Sequence, residues 1–115
     1  MLNIDNRQHI TLTRGDTAYI DVTGLKNKDG TAYTFVEGDM VYFRLKGSET
    51  IEKQLVIDLL NNKATLTLEP EDTESLNFTS YKYEMELVTS IGEHFTFIAD
   101  RTFIIGLELE DHEDG

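Results

Sequence analysis

An antiparallel β-sandwich or Greek-key barrel is the fold class that this sequence predicts, on three observations. Short apolar segments recur with a period of two. Turn-forming residues separate them at regular spacing. The segments are about five residues each, some eight in number, with a single helical turn among them. The clearest evidence lies between Ala64 and Leu87. There Ala64, Leu66 and Leu68 alternate with Lys63, Thr65, Thr67 and Glu69, and Tyr81, Tyr83, Met85 and Leu87 alternate with Lys82, Glu84 and Glu86. Successive strand side chains point to opposite faces, so each segment offers one apolar face to a core and one polar face to water.

The remaining elements follow in chain order. His9 to Thr13 alternates around Ile10 and Leu12, and Ala18, Ile20 and Val22 alternate after Arg14-Gly15-Asp16. Two such runs across a Gly-Asp turn predict a hairpin. Leu25 to Gly30 predicts a polar loop whose Asp29-Gly30 pair suits positive φ. Thr31 to Val36 predicts a short strand closed by Glu37-Gly38-Asp39, and Val41, Phe43 and Leu45 mark the next. Ile51 to Leu60 fits either period. Its β-branched Ile51, Val56 and Ile57 favour a strand. Asn61-Asn62 turns the chain into the Ala64 strand.

Pro70 precedes Glu71, Asp72 and Glu74. Proline suits the first helical position and acidic side chains suit a helix N-terminus, so Pro70 to Leu76 predicts one helical turn with Leu76 tucked inward. Ile91-Gly92-Glu93 predicts a turn into a strand carrying Phe95 and Phe97. Asp100-Arg101 predicts another turn, into Thr102 to Leu109, where Phe103, Ile104 and Ile105 read as a strand covered on both faces. The total is about eight strands and one helical turn in a single domain over residues 1–107. Residues 108–115, almost wholly acidic, predict a flexible tail.

Composition narrows the function. Ten basic and twenty-two acidic residues give a net charge of −12. That sign opposes nucleic acid and anionic membranes, because phosphate binding draws its free energy from Lys and Arg. It permits a basic protein partner, a divalent cation or simple solubility. Without cysteine there is neither a disulfide framework nor a thiolate metal site. Met1 to Ile10 has charged residues near its start and no apolar core, so no secretory signal is expected, and no run approaches the ~20 apolar residues of a membrane span.

Motifs that suggest chemistry have plainer readings beside them. Arg14-Gly15-Asp16 spells an integrin-recognition tripeptide, but a three-letter match arises often by chance and the segment reads as a hairpin turn. Asn77-Phe78-Thr79 fits a glycosylation triplet with no route to the machinery. His9, His94 and His112 lie far apart, and no cysteine completes a zinc set. Glu84 and Glu86 share one strand face, a spacing that could suit paired carboxylates but predicts a solvated pair. The tail residues Glu108, Glu110, Asp111, Glu113 and Asp114 lack the spacing of a calcium loop. Tyr19, Tyr33, Tyr42 and Tyr81 offer sugar or protein contacts if exposed. No nucleophile–base pair emerges, so an enzyme, a catalytic residue, a metal and a cofactor are all not expected.

The ordered segments Arg14-Gly15-Asp16-Thr17-Ala18-Tyr19-Ile20-Asp21-Val22, Asp29-Gly30 and the Glu37 to Lys46 run carry a resemblance. So do Leu66-Thr67-Leu68-Glu69-Pro70-Glu71-Asp72-Thr73, Tyr81 to Leu87, Phe95-Thr96-Phe97-Ile98 and Phe103-Ile104-Ile105. Over roughly residues 8 to 107 the chain resembles the N-terminal domain of the baseplate upper protein family of tailed phages and prophages. The resemblance implies an antiparallel immunoglobulin-like β-sandwich and a non-enzymatic virion structural protein of baseplate, tail or fibre. It also implies a cytoplasmically made component of the virion that assembles with other virion proteins and forms a homo-oligomer. Two other functions fit the composition: a carbohydrate- or cell-surface-binding module, and an acidic mimic of nucleic acid.

Overall fold

A computed structural model describes residues 2–4, 8–27, 29–46, 50–73 and 80–106. The described residues contain nine strands and one short helix: β1 Leu2–Ile4, β2 Ile10–Thr13, β3 Ala18–Val22, β4 Met40–Lys46, β5 Thr50–Gln54, β6 Val56–Asp58, β7 Lys63–Leu68, α1 Pro70–Thr73, β8 Ser80–Val88 and β9 His94–Gly106. They form a six-stranded sheet in the order β1-β2-β9-β8-β4-β5 and a three-stranded sheet in the order β3-β7-β6. The all-β prediction with one helical turn holds.

One core joins both sheets. Inward residues of β2, β4, β8 and β9 meet Ala18, Ile20 and Val22 of β3 and Ala64, Leu66 and Leu68 of β7. The period-two patterns of β3, β4 and β7 map directly onto alternating burial. At the centre Phe43, Tyr83 and Phe103 pack with ring centroids 5.6 to 6.2 Å apart, tilted or edge-on, as aromatic quadrupoles prefer. The Tyr83 hydroxyl is satisfied by the Gln8 carbonyl.

Five sequence expectations need correction. The sheet is mixed and not wholly antiparallel, because β2 lies parallel to β9 over Ile10–Thr13 and Phe103–Gly106. Consequently residues 10–22 are no hairpin: β2 pairs with β1 and β9, and β3 pairs with β7. The Arg14-Gly15-Asp16 turn carries the chain from one sheet to the other. It is held there by a hydrogen bond from Gly15 N–H to the Thr73 hydroxyl, 3.1 Å. Thr31 to Val36 forms no strand. Apart from one bridge between Lys26 and Ala32 it is loop, with Phe35 buried as its anchor. The 51–60 segment is extended, as its β-branched residues predict, but divides. β5 belongs to the large sheet and β6 to the small one, with Leu55 2 % exposed at the handover. Its N–H still donates to the Val41 carbonyl, 2.8 Å.

The fifth correction concerns β9, a single thirteen-residue strand running straight through Asp100-Arg101. Asp100 adopts a left-handed conformation (φ 53°), and the register with β8 slips on either side of Met85. These residues make β-bulges, which bend a strand without ending it. Ile104 is exposed, so this run is covered on one face and not both.

Helix α1 is one turn, as predicted. Glu69 N–H donates to the Asp72 carboxylate (2.7 Å), satisfying an amide that the turn leaves over. Thr73 is its buried residue. Leu76, the Asn77-Phe78-Thr79 triplet, His112 and residues 108–115 lie outside the described residues.

Candidate interaction surface

The strand directions bring three connections together at one end of the sandwich: residues 23–39 before β4, residues 59–62 before β7, and residues 89–93 between β8 and β9. Two buried or half-buried polar side chains bind them. The Asp39 carboxylate accepts from the Tyr33 hydroxyl (2.6 Å), from Val36 N–H (3.0 Å) and from Ser90 N–H (2.9 Å). Asn62 accepts from Phe35 N–H (2.8 Å) and donates to the Tyr33 carbonyl (3.1 Å). Burial and the Asp39 carboxylate together push the Tyr33 phenol up to about 12. Gly38, at φ 95°, lets the turn pass Ser90. A Cβ there would lie 3.0 Å from the Ser90 Cβ.

This knitting frees the loop tips to hold apolar side chains in water. Leu60 is 93 % exposed and Ile91 80 %, and Val36 and Leu59 are also exposed. Acidic side chains of Glu37 and Glu93 stand beside them, also exposed. Below this end a groove of ≈ 530 Å³ runs between the 25–33 loop and the start of β9, floored by Leu25, Leu87, Phe95 and Phe97. Phe95 and Phe97 were read from the sequence only as strand residues. They line the groove because β9 runs on past the end of β2, which pairs only from Phe103 onward.

The outer face of the large sheet is different. Arg44 of β4 meets Glu52 of β5 (2.6 Å) and Glu84 and Glu86 of β8 (3.1 and 3.0 Å), and Lys46 meets Glu84 at 2.8 Å. Glu86 also pairs with His94 Nδ1 at 3.0 Å. The two glutamates predicted to be solvated are instead mostly covered, at 19 % and 14 % side-chain exposure. Lys46 and then Arg44 hold Glu84 below the usual carboxylate range. His94 and then Arg44 do the same for Glu86. Arg44 is held still more firmly charged, chiefly by Glu52. A face whose charges are already paired has little left to offer a partner. The register Arg44↔Glu84 is the sequence signal for it, visible only once β4 is placed beside β8.

Other sequence candidates scatter. His9 and His94 sit on different stretches of chain, and no three His, Asp or Glu residues converge as a metal site among the described residues. Tyr19 stands on the outer face of the small sheet, 67 % exposed, while Tyr33 is in the loop hub and Tyr42 lies under the Arg44 guanidinium, 5.6 Å from its ring centre. No helix among the described residues is long and apolar enough to cross a membrane.

No family model and no curated protein matches the sequence. Among solved structures, the fold is similar to the N-terminal domain of phage TP901-1 ORF48. The TM-score is 0.53 at 19 % identity, over 84 % of this chain and 82 % of that one. At that identity the likeness is one of fold, an all-β arrangement found in a phage protein.

Proposed function

We propose that the protein is a non-enzymatic structural module of a phage or prophage virion, acting by protein–protein assembly in a baseplate, tail or fibre. The observation that carries this reading is the loop end, where Leu60 and Ile91 stand almost fully in water on loops pinned by Asp39 and Asn62. Rigid, exposed apolar tips with acidic neighbours suit a docking surface for a partner with apolar pockets and a basic rim. The fold likeness to a phage domain supports the setting. Such a module works in the virion, beside other virion proteins.

The test is capture of purified virion or baseplate proteins on the immobilised protein. Leu60→Asp and Ile91→Asp together should reduce capture at least about tenfold while leaving the circular dichroism unchanged. Undiminished capture by that variant would remove the loop end from the reading.

A second reading, a carbohydrate-binding module, draws on the groove with Phe95, Phe97 and Tyr33 in its wall. Glycan-array signal lost in Phe95→Ala would favour it. The nucleic-acid-mimic reading loses ground, because Glu52, Glu84 and Glu86 are committed to Arg44.

A further inference from the structure

An open sheet edge is a template for another strand, and proteins blunt such edges with bulges, short strands, charges or covering chain. This molecule treats its edges unequally. β1 is only three residues long. On the far side the chain passes from β5 to β6 through Leu55, stitching the two sheets along that side. The uncovered half of β9 is bulged around Asp100. Among the described residues β3 has fewer of these protections: it is unbulged, and its one charge, Asp21, points outward and is held by Thr65 and Lys63. It is the end strand of the small sheet, in unbroken register with β7 over five residue pairs. It contains neither proline nor lysine and no inward charge. Beside it, between the sheets, lies a recess of ≈ 220 Å³ walled by Ile4, Ile20, Val22, Leu25, Phe97 and Ile98.

We propose that β3 pairs with β3 of a second copy, antiparallel about a two-fold axis through Ile20, joining two three-stranded sheets into one of six. The strand's own sequence selects this occupant. With Ile20 opposite Ile20 of the second copy, Ala18 faces Val22 on the inner side, and the two recesses lie next to one another under the joined sheet. On the outer side Tyr19 faces Asp21, twice. A slip by one residue would turn apolar side chains outward. A slip by two would set Asp21 against Asp21, or Tyr19 against Tyr19, with shorter overlap. Asp21 is held by Thr65 at 2.7 Å and Lys63 at 3.3 Å, so its charge is locally balanced in a chain of net charge −12. This pairing rests on the assembly reading for its setting, but its failure is separable from that reading.

Sedimentation velocity over a concentration series tests it, with amide exchange of residues 17–23 as the second readout. The expected result is a reversible dimer in which those amides gain protection. Tyr19→Asp, at an exposed position, sets carboxylates opposite Asp21 at two places and should weaken the dimer about tenfold or more. Tyr19→Lys sets opposite charges there and should preserve it. A monomer at every concentration overturns the proposal, as does equal weakening by Asp and Lys. Protection of these amides only on adding a virion protein would also overturn it, assigning the edge to a foreign strand. A monomer that captures virion proteins leaves the assembly reading intact, whereas a dimer that captures none sinks that reading alone.

Discussion

Asp39 shows how one side chain can set the shape of a whole end of the molecule. It is 8 % exposed and collects a phenol and two backbone amides from loops that share no strand. Asp39→Ala leaves those donors without their acceptor, at roughly 1–3 kcal/mol for each that water cannot reach, so a loss of about 3 kcal/mol is expected in urea unfolding. Gly38→Ala is strained by its positive φ and by Ser90, and should cost about 1–2 kcal/mol in the same assay. The raised Tyr33 phenol gives a further check. Its contribution to stability is complete below the ordinary tyrosine value near 10 and is lost as pH climbs toward about 12. Tyr33→Phe should abolish the part of the phenolate absorbance change that appears near pH 12. None of this was legible in Glu37-Gly38-Asp39, which reads as an ordinary turn. The partner that makes it a hub, Ser90, is 51 residues away.

Elements divide into those that the local pattern specifies and those that only the assembled sheets specify. β3, β4, β7 and β8 were readable because every second residue is apolar and one face is buried. Pairing was less readable. The chain around Arg14-Gly15-Asp16 suits a hairpin turn and a sheet-to-sheet crossing alike, and it is the pairing of β2 with β9 and of β3 with β7 that makes it a crossing, with the Thr73 hydroxyl accepting from Gly15. Likewise Asp100 ends a strand in sequence terms, yet its left-handed conformation merely bulges β9. The charged strip across β5, β4 and β8 is the element-scale feature with a pH signature. Glu84 and Glu86 have depressed folded-state pKa values, so they stabilise above the unfolded glutamate value of 4.5, and that contribution is lost as pH falls below it. Denaturation midpoints should therefore drop on acidification below about pH 4.5. Arg44→Met should flatten that drop; an unchanged acid slope would show the ion pairs to be inert.

At the scale of the whole molecule, a cysteine-free chain depends on one shared core. Phe43 lies at its aromatic centre, 1 % exposed. Phe43→Ala should cost about 3–5 kcal/mol by thermal or chemical unfolding, a large share of the margin of a domain this size. The parallel pairing of β2 with β9 has a mechanical meaning as well. Tension applied across the two ends of the chain first peels β1, whose antiparallel ladder opens one rung at a time. The load then reaches Ile10 and Gly106, which pull along neighbouring strands in opposite directions and strain four rungs in shear together. In an optical trap the molecule should yield at a low force for β1 and then resist until β2 and β9 slide apart.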